Sequence, residues 1–377
     1  MASRSAPTKW IWQRPGWPQF CWDAVKLERN LSRVRRSQGE LLGMARLLDE
    51  KADLATQMEV LMREGLMTSA IEGEKLDPNS LRSSIARRLG LPAGGLPRPS
   101  QSVEGLVEVL LDATRRYEDK LTLERLEGWQ AALFPTGRSG LHEIHVGRLR
   151  GAAPMRIVSG PVGRERVHYE APPHDVLKKE INEFLKWFNR PPPELDGMIR
   201  AGLAHAWFEI LHPFEDGNGR VGRAVLDMAL AQDEGRATRL YSMSGRFMTV
   251  RDEYYSALER TSAGGLDVTD WLNWFLEQVE ASTRASGSTV ESVLKKAQFR
   301  AKHARGGLNE RQLKALNRML DAGVGGFEGG MTNKKYASLT HTSPATAQRD
   351  LAELVAKNCL VLIGSGRGAR YELAKES

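Results

Sequence analysis

The stretch Leu211-His212-Pro213-Phe214-Glu215-Asp216-Gly217-Asn218-Gly219-Arg220-Val221-Gly222-Arg223 brings a base, a carboxylate, a Gly/Asn turn and two arginines onto one short piece of chain. The residues before it predict a helix. Asp196 is a good N-cap, and Met198, Leu203, Phe208, Ile210 and Leu211 supply apolar surface up to Pro213, which stops it. After the loop, Val221, Ala224, Val225, Met228 and Ala229 recur at helical spacing, so a second helix begins near Gly219. Its first N–H groups have no intrahelical partner and face the loop, which makes a helix N-terminus behind Gly-Asn-Gly an anion site. The glycines let backbone approach phosphate oxygens, and the Asn218 side-chain amide is expected to donate one hydrogen bond more. Arg220 and Arg223 share a helix face beside that site, with forks suited to phosphate. Asp216 is a hard oxygen ligand of the kind Mg²⁺ takes, and His212 is neutral enough near pH 7 to accept a proton from a hydroxyl. A lone His before Pro is commonly a cap or core residue, and a lone Gly-Asn-Gly is commonly a turn. Their coincidence on one loop favours a site. No Walker-type G-x-x-x-x-G-K-(S/T) and no G-x-G-x-x-G after a strand supports a P-loop or dinucleotide fold.

The loop fits H-x-F-x-(D/E)-G-N-G-R-x-x-R at every specified position, and on those residues the chain resembles the Fic family. The resemblance implies transfer of AMP from ATP to a Ser, Thr or Tyr hydroxyl of a target protein, with release of pyrophosphate. On that pattern His212 deprotonates the hydroxyl and Asp216 holds Mg²⁺ against the α- and β-phosphates. Gly217, Asn218 and Gly219 hold phosphate oxygens, and Arg220 and Arg223 engage the distal phosphates. All matching positions are intact, as in a competent member.

Upstream, Thr68-Ser69-Ala70-Ile71-Glu72-Gly73 fits the family's autoinhibitory pattern (S/T)-x-x-x-E-(G/N). It closes a predicted helix over about 50–73, with Leu54, Met58, Leu61, Met62 and Leu66 on the apolar side and Gly73 as the C-terminal stop. The resemblance implies that Glu72 pairs with Arg223 and blocks placement of the γ-phosphate, with Thr68 and Gly73 completing the motif. In some members the same Glu positions a water that removes AMP, so inhibition alone and inhibition with reversal both stay open. A six-residue pattern also fits a plain solvated helix end; the complete loop downstream is what favours the inhibitory reading.

Met155 to Gly163 and Arg166 to Tyr169 read as two short strands around a Gly/Pro turn. The resemblance makes this a flap, about 155–169, whose edge takes a target segment by strand addition; a small decorative hairpin is the plainer alternative. Tyr254 and Tyr255 lie where family members face the adenosine, although paired aromatics on a helix are commonly core.

The remaining chain frames this core. It has 377 residues, 41% hydrophobic and 27% charged, an ordinary globular composition with room for two or three domains. Cys21 and Cys359 form no framework and no metal spacing, no apolar run spans a membrane, and no secretory h-region opens the chain, so a cytoplasmic protein is expected. Trp10, Trp12, Trp17, Phe20 and Trp22 among Pro15, Gly16 and Pro18 precede a helix over about 22–48, and are expected to fold back as core. From Glu291 to Ser377 there are 15 Lys+Arg against 8 Asp+Glu, a net of +7, while the totals of 54 and 47 leave 39 of each upstream. The last segment therefore holds the whole positive excess and points to an acidic partner. Its pattern predicts a winged helix-turn-helix, with helices at 310–322, 333–339 and 343–358 and then a strand–turn–strand. Arg349 on the third helix, with Arg367 and Arg370 on the wing, are candidates for contact with double-stranded DNA. Such modules also serve docking or homodimerisation.

The expected fold is mainly α: an N-terminal helical region at 1–120 carrying the inhibitory helix, a Fic core at 121–290 with its β-hairpin flap, and a winged helix-turn-helix at 305–377. The resemblance covers roughly residues 5–280 and 305–375. The leading reading is an autoinhibited, Mg²⁺-dependent adenylyltransferase. The alternatives are a de-AMPylase, a transferase of another nucleotide, a DNA-binding regulator with the core as nucleotide sensor, and a purely interacting module.

Overall fold

The computed structural model describes residues 9–161, 164, 166–303, 307–320, 327, 329–366 and 369–374. The chain divides into two compact units, 1–45 with 53–287 and 46–52 with 288–377. It is mainly α, with short two-stranded sheets.

In chain order the helices are α1 (Ala24–Ala45), α2 (Glu50–Ile71), α3 (Pro78–Arg88), α4 (Gln101–Arg115) and α5 (Leu123–Leu133). Two small hairpins follow, β1 (Arg138–Ser139) with β2 (His142–Glu143), and β3 (Arg156–Ser159) with β4 (Arg166–Glu170). Then come α6 (His174–Asn189), α7 (Gly197–Leu211), α8 (Asn218–Glu234), α9 (Met243–Thr249), α10 (Arg251–Ala263) and α11 (Thr269–His303). The centre of the first unit is α7 against α8. Every residue of α7 from Met198 to Phe208 is buried, as is α8 from Arg220 to Ala231, so both helices are enclosed on all sides. Asp196 caps α7 by accepting from the amides of Met198 (2.8 Å) and Ile199 (3.4 Å). It also pairs with Arg35 of α1 at 2.8 Å, and Arg35 reaches Asp233 of α8 at 2.7 Å, so one guanidinium ties three helices.

The N-terminal aromatics do fold back. Trp10 stands edge-on to Tyr169 of β4 at 5.3 Å, Trp12 Nε1 donates to the Glu170 carbonyl at 2.8 Å, and Trp17 Nε1 donates to Glu180 at 2.7 Å. The β3–β4 hairpin pairs Arg156 with Glu170 and Ser159 with Arg166, with a bulge at Ile157/Val158 that leaves both side chains exposed. Its inner strand is thus held by the N-terminal arm, while its tip residues Val162, Gly163 and Glu165 lie outside the described residues.

In the second unit α12 (Glu310–Leu320), α13 (Asn333–Thr340) and α14 (Pro344–Ala356) precede a hairpin of β5 (Leu360–Ile363) and β6 (Arg370–Leu373), the element order of a winged helix-turn-helix. Ala315, Leu316, Met319, Tyr336, Leu351, Leu354 and Leu360 share its core. Asp350 fastens the three helices, accepting from Arg311 (2.9 Å) and from the Tyr336 hydroxyl (3.0 Å). Arg349 is exposed on α14. Arg370 is exposed but paired with Glu372 at 3.0 Å, which offsets its charge, and Arg367 lies outside the described residues. Among the described residues no helix is long and apolar enough to cross a membrane.

The α4–α5 packing sets a test. A Cβ on Gly105 would lie 1.8 Å from the Ala132 carbonyl oxygen, whereas one on Gly128 meets nothing within 4 Å. Gly105→Ala should lower unfolding free energy in urea by about 1–3 kcal/mol through forced separation of the helices. Gly128→Ala should be neutral or raise it by about 0.5–1 kcal/mol. Equal effects would mean that the close approach does not limit packing.

Candidate functional site

The loop is built by its own side chains. α7 ends because Pro213 has no N–H and disfavours helical geometry at the residue before it; His212 takes φ 45°, ψ 59°. The His212 amide still reaches the Phe208 carbonyl at 3.0 Å, and Nδ1 sits 3.3 Å from the Glu209 carbonyl. A carbonyl only accepts, so Nδ1 carries the proton and Nε2 keeps its lone pair. Burial pushes the imidazole down to about 4, partly countered by that carbonyl bond, so it is neutral at pH 7.

Phe214 is fully buried and anchors the loop. The Oδ1 of Asn218 accepts from the Phe214 amide and its Nδ2 donates to the Phe214 carbonyl, both at 2.8 Å, and the residue is buried. Both ends of the amide thus brace the loop, and one Nδ2 hydrogen is left over after the bond to Phe214. No side chain caps α8, so its first N–H groups stay open. Gly217 has φ +86°, and a Cβ there would sit 2.8 Å from the Phe134 ring.

Arg150, absent from the sequence reading, supports the loop from behind. Almost wholly buried, it donates from Nε to the His212 carbonyl at 2.9 Å and from Nη2 to the Pro172 carbonyl, while its amide donates to the Pro213 carbonyl at 2.9 Å. The Tyr169 hydroxyl donates to the Ile210 carbonyl at 2.6 Å, joining the hairpin to the end of α7. Asp216 accepts from the Gly217 amide at 2.5 Å and from the Ser139 hydroxyl.

The upstream motif meets this loop. Arg223, 2% exposed, donates from Nε to Thr68 Oγ1 (2.7 Å), and from Nη2 to the Thr68 carbonyl (2.9 Å) and Glu72 Oε1 (2.8 Å). Burial alone would raise the Glu72 carboxyl, but Arg223 and, further off, Arg220 and His212 lower it overall. A Cβ on Gly219 would lie 2.3 Å from Glu72 Oε1, so the carboxylate rests on the first turn of α8. It is an anion at an anion site. Gly73 follows at φ +83°, the left-handed stop expected for α2. A second pair was not foreseen: Arg220 Nη1 meets Glu74 Oε2 at 2.9 Å, with its guanidinium 4.8 Å over Phe134.

A cavity of about 600 Å³ opens here. Glu72, His212, Gly219, Arg223 and Tyr255 line it together with Ile157, Val158 and His168 of the hairpin, whereas Thr68, Asp216, Asn218 and Arg220 stand outside its lining. Tyr254 lines it as well, though almost wholly buried. Its hydroxyl bonds His205 Nε2 at 2.9 Å and its ring stacks on Phe247 at 4.4 Å, so of the two tyrosines Tyr255 is the one with an exposed ring. Glu209, also unforeseen, lines the cavity with its carboxyl pushed up to about 7 by burial.

Family models match the chain in two places, the Fic/DOC family over residues 120–230 and a domain of unknown function, DUF4172, over residues 10–91. Residues 120–230 thus carry a match to the Fic/DOC family. The two matches supply opposite sides of the ion pair, Glu72 from one and Arg223 from the other. A probable protein adenylyltransferase of Aquifex aeolicus is 31% identical over 105 residues, 28% of this chain and 30% of that protein. Protein adenylyltransferase fic-1 of Caenorhabditis elegans is 22% identical over 245 residues, 60% of this chain and 42% of that protein. Protein adenylyltransferase Fic of Nematostella vectensis is 26% identical over 223 residues, 54% and 47%. The chain thus spans less than half the length of these curated relatives. Among solved structures, a Fic family protein from Desulfovibrio desulfuricans superposes with a TM-score of 0.53 at 18% identity, covering 92% of this chain and 97% of that one. Residues 134–508 of C. elegans Fic-1 superpose with a TM-score of 0.51 at 18% identity, covering 73% and 75%. Both likenesses are of fold.

His212 offers a pH test of the Fic loop. Because its folded value lies below the unfolded ~6.5, the unfolded chain binds more protons between the two. The stability it contributes is whole above about 6.5 and falls as pH drops toward 4. Wild type should lose more unfolding free energy than His212→Asn between pH 7 and pH 5, by at most about 1.4 kcal/mol per pH unit. Asn tolerates the left-handed backbone at this position. Parallel pH profiles would mean that the imidazole is not desolvated.

Proposed function

We propose that this chain is a Mg²⁺-dependent protein adenylyltransferase, moving AMP from ATP to a Ser, Thr or Tyr hydroxyl of a target protein, with Glu72 as its brake. The observation that carries the reading is the Glu72 carboxylate seated on the first turn of α8 and on Arg223, in the cavity that also holds His212. A carboxylate there stands in for a phosphate.

In the reaction the target oxygen attacks the α-phosphorus of ATP, and the bond from that phosphorus to the bridging oxygen breaks to release pyrophosphate. His212 Nε2, with its lone pair free, takes the hydroxyl proton. The open amides at the start of α8, Asn218 and Gly219, hold phosphate oxygens, with Gly217 leading into them. Arg223 grips the distal phosphates once Glu72 leaves it, and Arg220 does so once free of Glu74. A carboxylate beside a hydroxyl, with no cluster of three or more metal-ligating side chains among the described residues, fits a Mg²⁺ that takes its other ligands from phosphates and water. Asp216 would hold that ion, whose charge would offset that of the phosphates. The β3 edge, with Ile157 and Val158 exposed, suits a target segment added as a strand.

A second reading rests on the +7 carried by residues 291–377: the domain at 305–377 binds duplex DNA, with Arg349 as a groove contact. It requires affinity that falls steeply with salt and is indifferent to His212→Ala.

The test of the main reading is label transfer from α-phosphate-labelled ATP with Mg²⁺ in cell lysate. Glu72→Gly should label protein up to ~100-fold more than wild type, the scale on which misplaced phosphates slow a reaction. Adding His212→Ala should abolish the label. A silent Glu72→Gly, with wild type instead removing the label from pre-AMPylated protein, would make the chain a de-AMPylase. Labelling only from other nucleotides would change the donor.

A further inference from the structure

Three donors from α10 converge on one carbonyl, that of Ile71, the last residue of α2. Arg251 approaches with Nη2 at 2.7 Å and Nε at 3.1 Å, and Tyr255 with its hydroxyl at 3.3 Å. Helix ends leave carbonyls without partners, and here the nearby amides go elsewhere: Gly73 to Ala70 (3.0 Å) and Glu74 to Ser69 (2.9 Å). An oxygen with two lone pairs is thus filled entirely from another helix. The guanidinium also lies 5.4 Å over the Tyr255 ring, which locks the two donors to one another.

The placement has a cost. Arg251 is the first residue of α10, where the helix dipole disfavours a cation, yet its charge suits the C-terminus of α2. Ile71 itself is fully buried, so its carbonyl is fixed, and Glu72 is the very next residue. Both donors are exposed and both line the 600 Å³ cavity. They are therefore within reach of whatever enters it.

We propose that Arg251 and Tyr255 are a clasp that sets the position of Glu72, and that a nucleotide seated in the cavity competes for that clasp through its base and ribose. Neither is a catalytic residue; both are positioning residues acting through the end of α2. The proposal rests on Glu72 being the brake, and it makes the donor nucleotide part of what loosens that brake.

Hydrogen exchange on the full chain tests it without any transfer reaction. In Arg251→Met the amides of Glu72, Gly73 and Glu74 should exchange about tenfold faster or more, on the scale of one lost charge-assisted hydrogen bond. Arg251→Lys, keeping one donor, should fall between, and Tyr255→Phe should give a smaller rise at the same amides. ATP should speed those amides in wild type and add nothing in Arg251→Met. Unchanged exchange in a folded Arg251→Met, or a rise spread across the whole first unit, would overturn the clasp, and Tyr255→Phe decides it should Arg251→Met not fold. Were Glu72→Gly silent, the transferase reading would fall while the exchange result still judged the clasp.

Discussion

A buried guanidinium must be met on every side, and Arg223 is the group on which the rest of this site depends. Left without a partner at such depth, a charge costs several kcal/mol. The chain answers with the Thr68 hydroxyl, the Thr68 carbonyl and the Glu72 carboxylate, from the last turn of α2 and the residue just after it. A helix remote in sequence is thereby tied to the first turns of α8. The tie also puts a carboxylate where the open amides of α8 favour an anion, so one contact both completes the fold and fills the site.

Around this pair the polar groups of the loop are already committed. Asn218 closes the loop on Phe214, Arg150 takes up the carbonyls of His212 and Pro172, and Tyr169 takes that of Ile210. The N-terminal arm extends the same support, since Trp10 packs on Tyr169 and Trp12 bonds the end of β4. Preorganisation of this kind is what a phosphate-handling site requires, because the chemistry there is mostly positioning and charge. What remains free to change is the smaller set that lines the cavity: Glu72, Arg223, Arg251 and Tyr255.

Much of this was legible in the linear order of residues. Asp196 and Pro213 bracket α7, Gly217 and Gly73 stand where left-handed backbone is needed, and the apolar spacing finds α2, α7 and α8. Periodicity reports which way a helix faces, and turn residues report where it ends. Neither reports what a polar side chain bonds to. That Asn218 braces the loop on Phe214, and that Tyr254 packs on Phe247 and bonds His205, is not written in the local pattern. Arg150, Glu74, Glu209 and Arg251 carried no local signal, because each matters only through a partner distant along the chain.

By itself, then, the sequence determined the kinds of group that meet: a histidine before proline, a glycine-framed helix start, two arginines on one face and a glutamate at a helix end. These follow from local backbone rules, which act over a few residues. Tertiary structure decided which arginine takes which acid, Arg223 with Glu72 and Arg220 with Glu74, and which of two adjacent tyrosines stays exposed. It also decided that the Ile71 carbonyl is held from α10. Such choices are made by burial and by competition for donors among segments far apart in the chain, and no window of neighbouring residues contains that competition.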